Sequence, residues 1–343
     1  MTIMAVREKA GCWAHERWRM EVVLRCPALA RHAGLEWPDL HNRNEQVTRG
    51  DGRGRVCQWM DSSWLTAARV FPRAGGRLLG HCLKEWPVVL GGRGASGQAG
   101  TPDISVLLPF SGVSRLGPLR TVVESLAGQT GATAEILVIE EGERSILPPD
   151  LCTAVNLVFL HRPAGAAYCK SRMLNAGAAV ARGRHLLLHD ADVVVPSRYL
   201  EEIVRCLDAG VDGVRPLRFL FCLDEGTSRL VQETRELSGI GSVRDVMQNF
   251  PGGSVGVRRD VFERLGGMDE RFQDWGGEDL EFLDRLKTCR LFEGAWMPGV
   301  HLWHDPAGQK RSGHRNLEAM RQIRSIPAEQ RIERLAVGSK GGC

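Results

Sequence analysis

Three short motifs in the second half of the chain contain the side chains that most readily bind metal ions and transfer protons. In chain order they are Asp190-Ala191-Asp192, Trp275-Gly276-Gly277-Glu278-Asp279 and His301-Leu302-Trp303-His304. Carboxylate oxygens are ligands that Mg²⁺ and Mn²⁺ take in proteins, and an added imidazole favours Mn²⁺ over Mg²⁺ or Ca²⁺. The motifs together predict a metal site, a carboxylate at a helix start and an aromatic wall.

Asp190 and Asp192 follow the apolar segment His185–His189 and precede Val193-Val194-Val195. Because they are the only polar break between two apolar runs, we interpret them as site residues rather than as a solvated turn. A carboxylate pair with this spacing can hold one divalent ion and also reach a ribose. We predict that Asp192 binds the metal and that Asp190 contributes to cofactor binding.

His301 and His304 can converge on one ion only if the backbone turns between them, because an extended strand would place them on opposite faces. Pro306 and Gly308 follow closely and fit such a turn. A pair with this spacing also arises by accident, and only the nearby acids favour the metal site. We predict both histidines as candidate metal ligands, and which of the two binds the ion stays open.

Glu278 and Asp279 open a predicted helix directly after two glycines. Acids in a first helical turn often do no more than stabilise the helix dipole, which is the simple alternative. In the functional interpretation, one of them is a general base that deprotonates an acceptor hydroxyl, while Trp275 packs on the acceptor ring.

The bulk composition limits the class of protein. The chain has 343 residues, of which 43% are hydrophobic and 25% charged, with a net charge of +4, so it predicts a globular protein without a nucleic-acid surface. No apolar run reaches the roughly 18 residues that a membrane span needs. Ten scattered cysteines without a CxxC pair are typical of reduced thiols, which predicts a cytoplasmic location. The oligomeric state stays open.

The sequence suggests three parts. Residues 91–100 have the glycine-rich composition of a flexible linker and end an N-terminal extension of unknown role, residues 1–100, which holds six of the nine tryptophans. Residues 101–330 alternate apolar strands with amphipathic helices, which predicts an α/β layer fold. Residues 331–343 remain as a C-terminal tail.

Continuous apolar runs predict buried parallel strands within residues 101–330. The strands are Ile104–Pro109, Glu135–Glu140, Asn156–Leu160 and His185–His189, with a further strand at Gly252–Val257 and a helix at Glu278–Lys287. Ligands of open α/β sheets bind at the carboxyl ends of the strands. The acids after His189 therefore lie where a site is expected.

Residues 102–325 resemble the nucleotide-sugar glycosyltransferases of GT-A fold, family 2-like, and the C-terminal half looks like the C-terminal domain of β-1,4-galactosyltransferases and of chondroitin-polymerase type enzymes. Five stretches carry the resemblance: Tyr168–Gly177, the DxD-like Asp190-Ala191-Asp192, Gly252–Phe262, Gly266–Phe272 and Trp275–Asp279. The resemblance implies a Rossmann-like fold for transfer of nucleotide-diphospho-sugars. It also implies Mn²⁺ or Mg²⁺ and a UDP-sugar donor.

The resemblance also implies roles for single residues. Pro109 and Glu141 lie where the family contacts the uridine, and Arg172 lies where a basic residue faces the donor phosphates or ribose. Asp279 takes the place of the catalytic base, with Glu278 and Trp275 holding acceptor and donor sugar. Asp192 and His304 take the places of metal ligands, with His301 at a position that is often Met or His. The chain departs from the family at Glu140-Glu141, usually Asp-Asp, and at Cys169, usually Asn.

Lys310 and Arg311 follow the histidine motif and could hold the diphosphate from a mobile loop, although a solvated loop pair is an equal alternative. The departing diphosphate needs its charge neutralised, and a single base opposite it implies inversion. We therefore predict a metal-dependent inverting glycosyltransferase that moves a hexose-type sugar to a hydroxyl of a glycan or small-molecule acceptor. A nucleotidyltransferase and a non-catalytic glycan-binding or scaffold protein are the alternatives.

Overall fold

A computed structural model gives the architecture of the chain and describes residues 9–91, 100–274, 276–305 and 313–338. Three predicted site residues, Trp275, Lys310 and Arg311, lie outside the described residues. The predictions made for them are therefore left as they stand.

The described helices share the chain with thirteen short or medium strands. In chain order the helices are α1 Trp18–Arg25, α2 Pro27–His32, α3 Thr66–Val70, α4 Pro72–Glu85, α5 Leu116–Ala127, α6 Pro149–Cys152, α7 Lys170–Val180, α8 Tyr199–Asp208, α9 Glu225–Thr234, α10 Arg259–Arg264, α11 Glu278–Leu286, α12 Gly313–Arg324 and α13 Ala328–Gly338. The strands are β1 Val47–Arg49, β2 Arg55–Cys57, β3 Ser63–Trp64, β4 Ile104–Phe110, β5 Ala134–Gly142, β6 Asn156–His161, β7 His185–His189, β8 Val193–Val194, β9 Gly213–Val214, β10 Leu217–Cys222, β11 Asp245–Gln248, β12 Ser254–Arg258 and β13 Met297–His301.

A six-stranded sheet in the order β6-β5-β4-β7-β12-β9 forms the centre of the fold. Strands β4, β5, β6 and β7 run parallel, and β12 lies antiparallel to β7. Successive residues of β4 belong to different cores, since Val106 and Leu108 join one apolar cluster and Leu107 joins the other. Burial on both faces explains why β4, β5 and β7 have continuous apolar sequences. The predicted α/β fold class is confirmed.

A second sheet of five strands, in the order β3-β11-β10-β13-β8, lies beside the first. Its last pair joins β13 to β8, with His301 opposite Val193. Because β8 follows the end of β7 after only three residues, this pairing brings the carboxyl end of the central sheet to the end of β13. The predicted site is built at this junction.

The first segment contributes a strand to this second sheet. Ser63 and Trp64 of β3 pair with Gln248 and Met247 of β11. The buried Arg218 donates from Nη2 to the carbonyl of Leu40 at 2.6 Å, so the two segments share hydrogen bonds as well as a sheet. The division of the chain at residue 100 remains a prediction.

A buried ion cluster fixes the C-terminal helix against α11. Arg285 and Glu281 are both fully buried and bond at 2.6 Å, and Arg331 of α13 donates to Glu281 at 2.9 Å. Helix α13 runs through the boundary that was predicted between residues 330 and 331. Residues up to Ala336 are therefore part of the packed structure.

No helix among the described residues combines the length and the apolar character needed to cross a membrane. Within the described ranges, eight cysteines are free thiols, namely Cys26, Cys57, Cys82, Cys152, Cys169, Cys206, Cys222 and Cys289.

Candidate metal centre and active site

Asp192, His301 and His304 form a group that could hold a metal ion. One ligand atom from each residue lies within 4.8 Å of the others. His304 Nε2 is 3.0 Å from Asp192 Oδ2, and His301 Nε2 is 3.7 Å from Asp192 Oδ1. The turn that the spacing of the two histidines required is present, because their rings lie 5.5 Å apart.

Backbone pairing sets this geometry. The amide of Leu302 donates to the carbonyl of Asp192 at 2.9 Å, directly beyond the β13–β8 pair. His189, the last residue of β7, is buried and forms two hydrogen bonds. Its Nδ1 lies 2.7 Å from Ser254 Oγ, and its Nε2 lies 2.8 Å from the carbonyl oxygen of Val193. Burial lowers the pKa of His189, so this ring is a neutral support for the turn that carries Asp192.

The electrostatics of Asp192 suit a cation. Burial alone would raise the pKa of Asp192, but His301, His304 and Arg115 outweigh it and hold that pKa well below its usual range. Asp192 Oδ1 is buried and has no hydrogen-bond partner among the described residues. A buried carboxylate oxygen without a donor is costly unless an ion or ligand satisfies it, so the residues fit a divalent metal.

Asp190 points away from this group, so the structure separates the two acids of the motif. Its Oδ1 lies 2.8 Å from Nζ of Lys170, the first residue of α7. The Lys170 ammonium also lies 3.0 Å from Asp279 Oδ2 and 3.7 Å from Glu278 Oε1. One cation therefore joins three carboxylates from two separate motifs.

Two glycines allow this arrangement. Gly277 precedes α11 with a φ of 98°, a conformation that other residues rarely adopt. At Gly252, a side chain would place its Cβ only 2.0 Å from Asp279 Oδ2. Asp279 therefore lies directly against the backbone of the turn before β12.

The two acids of α11 have different environments. Glu278 has a side chain that is only 8% exposed, and burial, with the Asp279 charge added, raises its pKa to about 7. The side chain of Asp279 is 28% exposed. Burial raises the pKa of Asp279 while Lys170 opposes the rise. Asp279 is thus the more accessible of two carboxyls whose proton affinity is increased.

Glu141 and Arg172 are paired at the carboxyl edge of the central sheet. Arg172 Nη2 bonds Glu141 Oε1, and Arg162 Nε lies 3.2 Å from Glu141 Oε2. Glu141 is buried, so it holds two guanidinium groups at this edge. Pro109 is buried in β4 of the same sheet.

Two basic residues at the site had no role in the sequence analysis. Lys170 lies within the stretch Tyr168–Gly177 that carries the family resemblance, and Arg115 lies between β4 and α5. Arg115 Nη1 is 3.8 Å from Asp192 Oδ2. The signal that could have found them is their position after β4 and at the start of α7, where ligands of α/β sheets bind.

Two families match the chain. Residues 105–266 match the family described as glycosyl transferase family 2, and residues 242–296 match the family described as the N-terminal domain of galactosyltransferase. The two matches overlap and together cover residues 105–296, from β4 to the residue before β13. The central part of this chain is therefore similar to family 2 glycosyltransferases over slightly less than half of the chain.

Solved structures of similar fold include three glycosyltransferases of low identity. GalNAc-T7 with UDP, GalNAc and Mn²⁺ is 16% identical with a TM-score of 0.44. The match covers 60% of this chain and 45% of GalNAc-T7. A mutant Drosophila β-1,4-galactosyltransferase 7 with manganese, UDP-Gal and xylobiose is 16% identical with a TM-score of 0.35, and 56% of this chain covers 64% of it. The mannosyltransferase PcManGT of Pyrobaculum calidifontis with GDP-Man and Mn²⁺ is 15% identical with a TM-score of 0.40, at 78% and 84% coverage.

This chain therefore spans less than two thirds of the first two structures. Among curated protein sequences, none matches it significantly.

Proposed function

We propose that this protein is a metal-dependent, inverting glycosyltransferase that transfers a hexose-type sugar from a UDP-sugar to an acceptor hydroxyl. The observation that carries the proposal is the placement of the Asp192, His301 and His304 group beside the carboxylates around Lys170, at the carboxyl edge of a GT-A sheet. The family match supports the class of reaction.

Asp192, His301 and His304 would hold Mn²⁺ or Mg²⁺, and the mixed carboxylate and imidazole set favours Mn²⁺. A bound divalent ion supplies charge neutralisation to the leaving diphosphate. Arg115 points its guanidinium at Asp192 and is placed to contact the same phosphates.

Asp279 is the proposed general base. It would accept the proton of the acceptor hydroxyl as the hydroxyl oxygen bonds the anomeric carbon and the bond from that carbon to the diphosphate oxygen breaks. UDP leaves with that electron pair. A single displacement from the face opposite the leaving group inverts the configuration. Glu278 and Trp275 remain proposed contacts of acceptor and donor sugar.

The nucleoside end of the donor is assigned to the edge of the sheet beyond Asp190. Pro109 and Glu141 remain the proposed uridine contacts, and Arg172 the proposed contact of ribose or phosphate. Because Glu141 is buried and bonded to two arginines, we propose that it acts on the nucleotide by holding those arginines in place. Lys310 and Arg311 remain proposed diphosphate contacts.

The protein is proposed to be cytoplasmic, which the eight free thiols named above support. Its proposed partners are a UDP-sugar and a glycan or small-molecule acceptor, without nucleic acid.

Release of UDP from a panel of UDP-sugars, with Mn²⁺ and with chelator, tests the proposal. We expect Mn²⁺-dependent release from one or a few donors. Release of pyrophosphate from a nucleoside triphosphate instead would indicate the nucleotidyltransferase alternative. Binding of glycans without any turnover would indicate the non-catalytic alternative.

A further inference from the structure

A cavity of about 820 Å³ lies next to the start of α11 and the turn before β12. Pro251 and Leu280 line it, and these residues flank the contact between Gly252 and Asp279. Its volume is that of a pocket for a small ligand of one or two rings. A molecule bound in this cavity would contact the first turn of α11 through Leu280.

The N-terminal extension builds one wall of the cavity. Residues 57–62 all line it, including Trp59 and Met60. This wall is fixed in place, because Asn249 Nδ2 donates to the carbonyl of Trp59 at 2.5 Å and lies 3.4 Å from the carbonyl of Asp61. The extension and the turn that carries Pro251 are therefore held together.

The charged residues lining the cavity are mostly basic. The basic ones are Arg55, Arg215, Arg218, Lys287 and Arg324, and the acidic ones are Asp61 and Glu293. Two of the cations are neutralised by carboxylates, because Arg55 pairs with Asp39 and Arg324 with Asp284. Pocket lining of this composition favours an anionic ligand.

Arg215 is the cation best placed to meet such a ligand. Its Nη2 donates to the carbonyl of Phe250, and within the described ranges no carboxylate lies within 4.0 Å of its guanidinium. Arg218, by contrast, bonds two carbonyls and the side chain of Gln248. Guanidinium groups have five donors in a planar fork, so Arg215 has donors left for a carboxylate, sulfate or phosphate.

Burial lowers the pKa of Arg215 to about 10, so the group is still a cation at neutral pH. Arg215 is half-buried and the charge of Asp279 favours its cation only from beyond 4.0 Å, so a bound anion would supply a direct counter-ion.

We propose that this cavity binds the acceptor and selects a saccharide that carries an anionic group, with Arg215 contacting the anion and the wall of residues 57–62 enclosing the ring. The inference rests on the proposed glycosyltransferase function. It assigns a role to the N-terminal extension, namely to complete the acceptor site.

Paired probes that differ only in charge test the inference. In the presence of UDP and Mn²⁺, calorimetry would compare 4-nitrophenyl β-D-glucuronide with 4-nitrophenyl β-D-glucoside, and glucose 6-phosphate with glucose. We expect the anionic member of at least one pair to bind about tenfold tighter or more, the scale of a hydrogen bond to a charged group. A preference within the glucuronide pair would indicate a carboxylate as the bound anion, and a preference within the glucose pair would indicate a phosphate.

Arg215→Gln should remove most of that preference, and Arg215→Lys should retain part of it. Arg205→Gln, an exposed arginine on α8, is the matched control and should retain all of it. If Arg215→Gln fails to fold, two other measurements test the inference. The variant Lys287→Gln, and added salt with the wild-type protein, should each weaken binding of the anionic probe and leave binding of the neutral probe unchanged.

Equal binding of charged and neutral probes by the wild type would overturn the inference, as would an unchanged preference in folded Arg215→Gln. A loss of UDP affinity in Arg215→Gln without acceptor would show that the cavity belongs to the donor. Failure of the wild-type protein to bind UDP would count against the proposed function itself, which separates the two failures.

Discussion

The ammonium of Lys170 lies 3.0 Å from Oδ2 of Asp279, so the proposed base is paired with a cation. Lys170 lowers the pKa of Asp279, and removing it should let burial raise that pKa further. In Lys170→Gln we expect the acidic limb of the pH–rate profile to move to higher pH and turnover at neutral pH to fall. Lys84→Gln, an exposed lysine of α4, is the control. An unmoved limb in the Lys170 variant would count against this pairing.

Asp279→Asn should lower turnover by roughly 10² or more, the usual scale for a lost general base, with donor affinity nearly unchanged. Single-turnover rates and UDP calorimetry on the same samples provide the measurement. Asp260→Asn on α10 is a matched control, since that acid is half-exposed and pairs only with nearby arginines. A variant that loses UDP binding but keeps its turnover would show that the base is elsewhere.

Asp192→Ala should abolish Mn²⁺-dependent transfer and leave the fold intact, because the two histidines alone give an incomplete site. Mn²⁺ binding measured by electron paramagnetic resonance and melting measured by circular dichroism separate the two effects. Full wild-type activity in excess chelator would contradict the prediction.

Glu278 should make the metal-free protein less stable at higher pH. Burial raises the pKa of Glu278 to about 7. A carboxyl with a raised folded-state pKa contributes stability that is present at low pH and lost as the pH rises through the folded value. Glu278→Gln should therefore gain melting temperature relative to wild type at about pH 8 and not at about pH 5. Exposed Glu263→Gln should show no such difference; equal shifts at both pH values would refute the prediction.

Deletion of residues 1–100 tests whether the extension is a separate unit. The pairing of β3 with β11 and the bonds of Arg218 to Pro38 and Leu40 lead us to expect an insoluble product, or one that no longer binds UDP. A soluble fragment that binds UDP and Mn²⁺ would instead establish the boundary at the glycine-rich linker.

Strands β4, β5 and β7 of the central sheet were predictable because they are buried on both faces. The predicted strand His185–His189 agrees with the structure residue for residue, and Ile104–Phe110 differs by one. The helix that begins at Glu278 was also found, because two glycines mark its start. Continuous apolar runs, and glycines that end or begin an element, depend only on neighbouring residues, so they can be recognised in the sequence alone.

The second sheet and the position of Lys170 were not predictable in the same way. Strand β3 has two residues, and its partner β11 lies far along the chain. Neither strand is long enough to show the alternation of apolar and polar residues that would predict it from the sequence. The separation of Asp190 from Asp192 depends on the pairing of β8 with β13 and on Lys170 arriving from α7. Such contacts are decided by tertiary packing, which propensities do not encode.

The hydrogen bond from Asn249 to the carbonyl of Trp59 joins residues that are 190 positions apart, so the ribosome makes the two partners at different times. At ribosomal rates of about 5–20 residues per second, the early segment would wait roughly 10–40 s for the strand it joins. During that interval the future edge of the second sheet and several tryptophans are without their partners. Chaperone binding to the nascent chain should therefore be concentrated on residues before the linker and end when β11 leaves the exit tunnel.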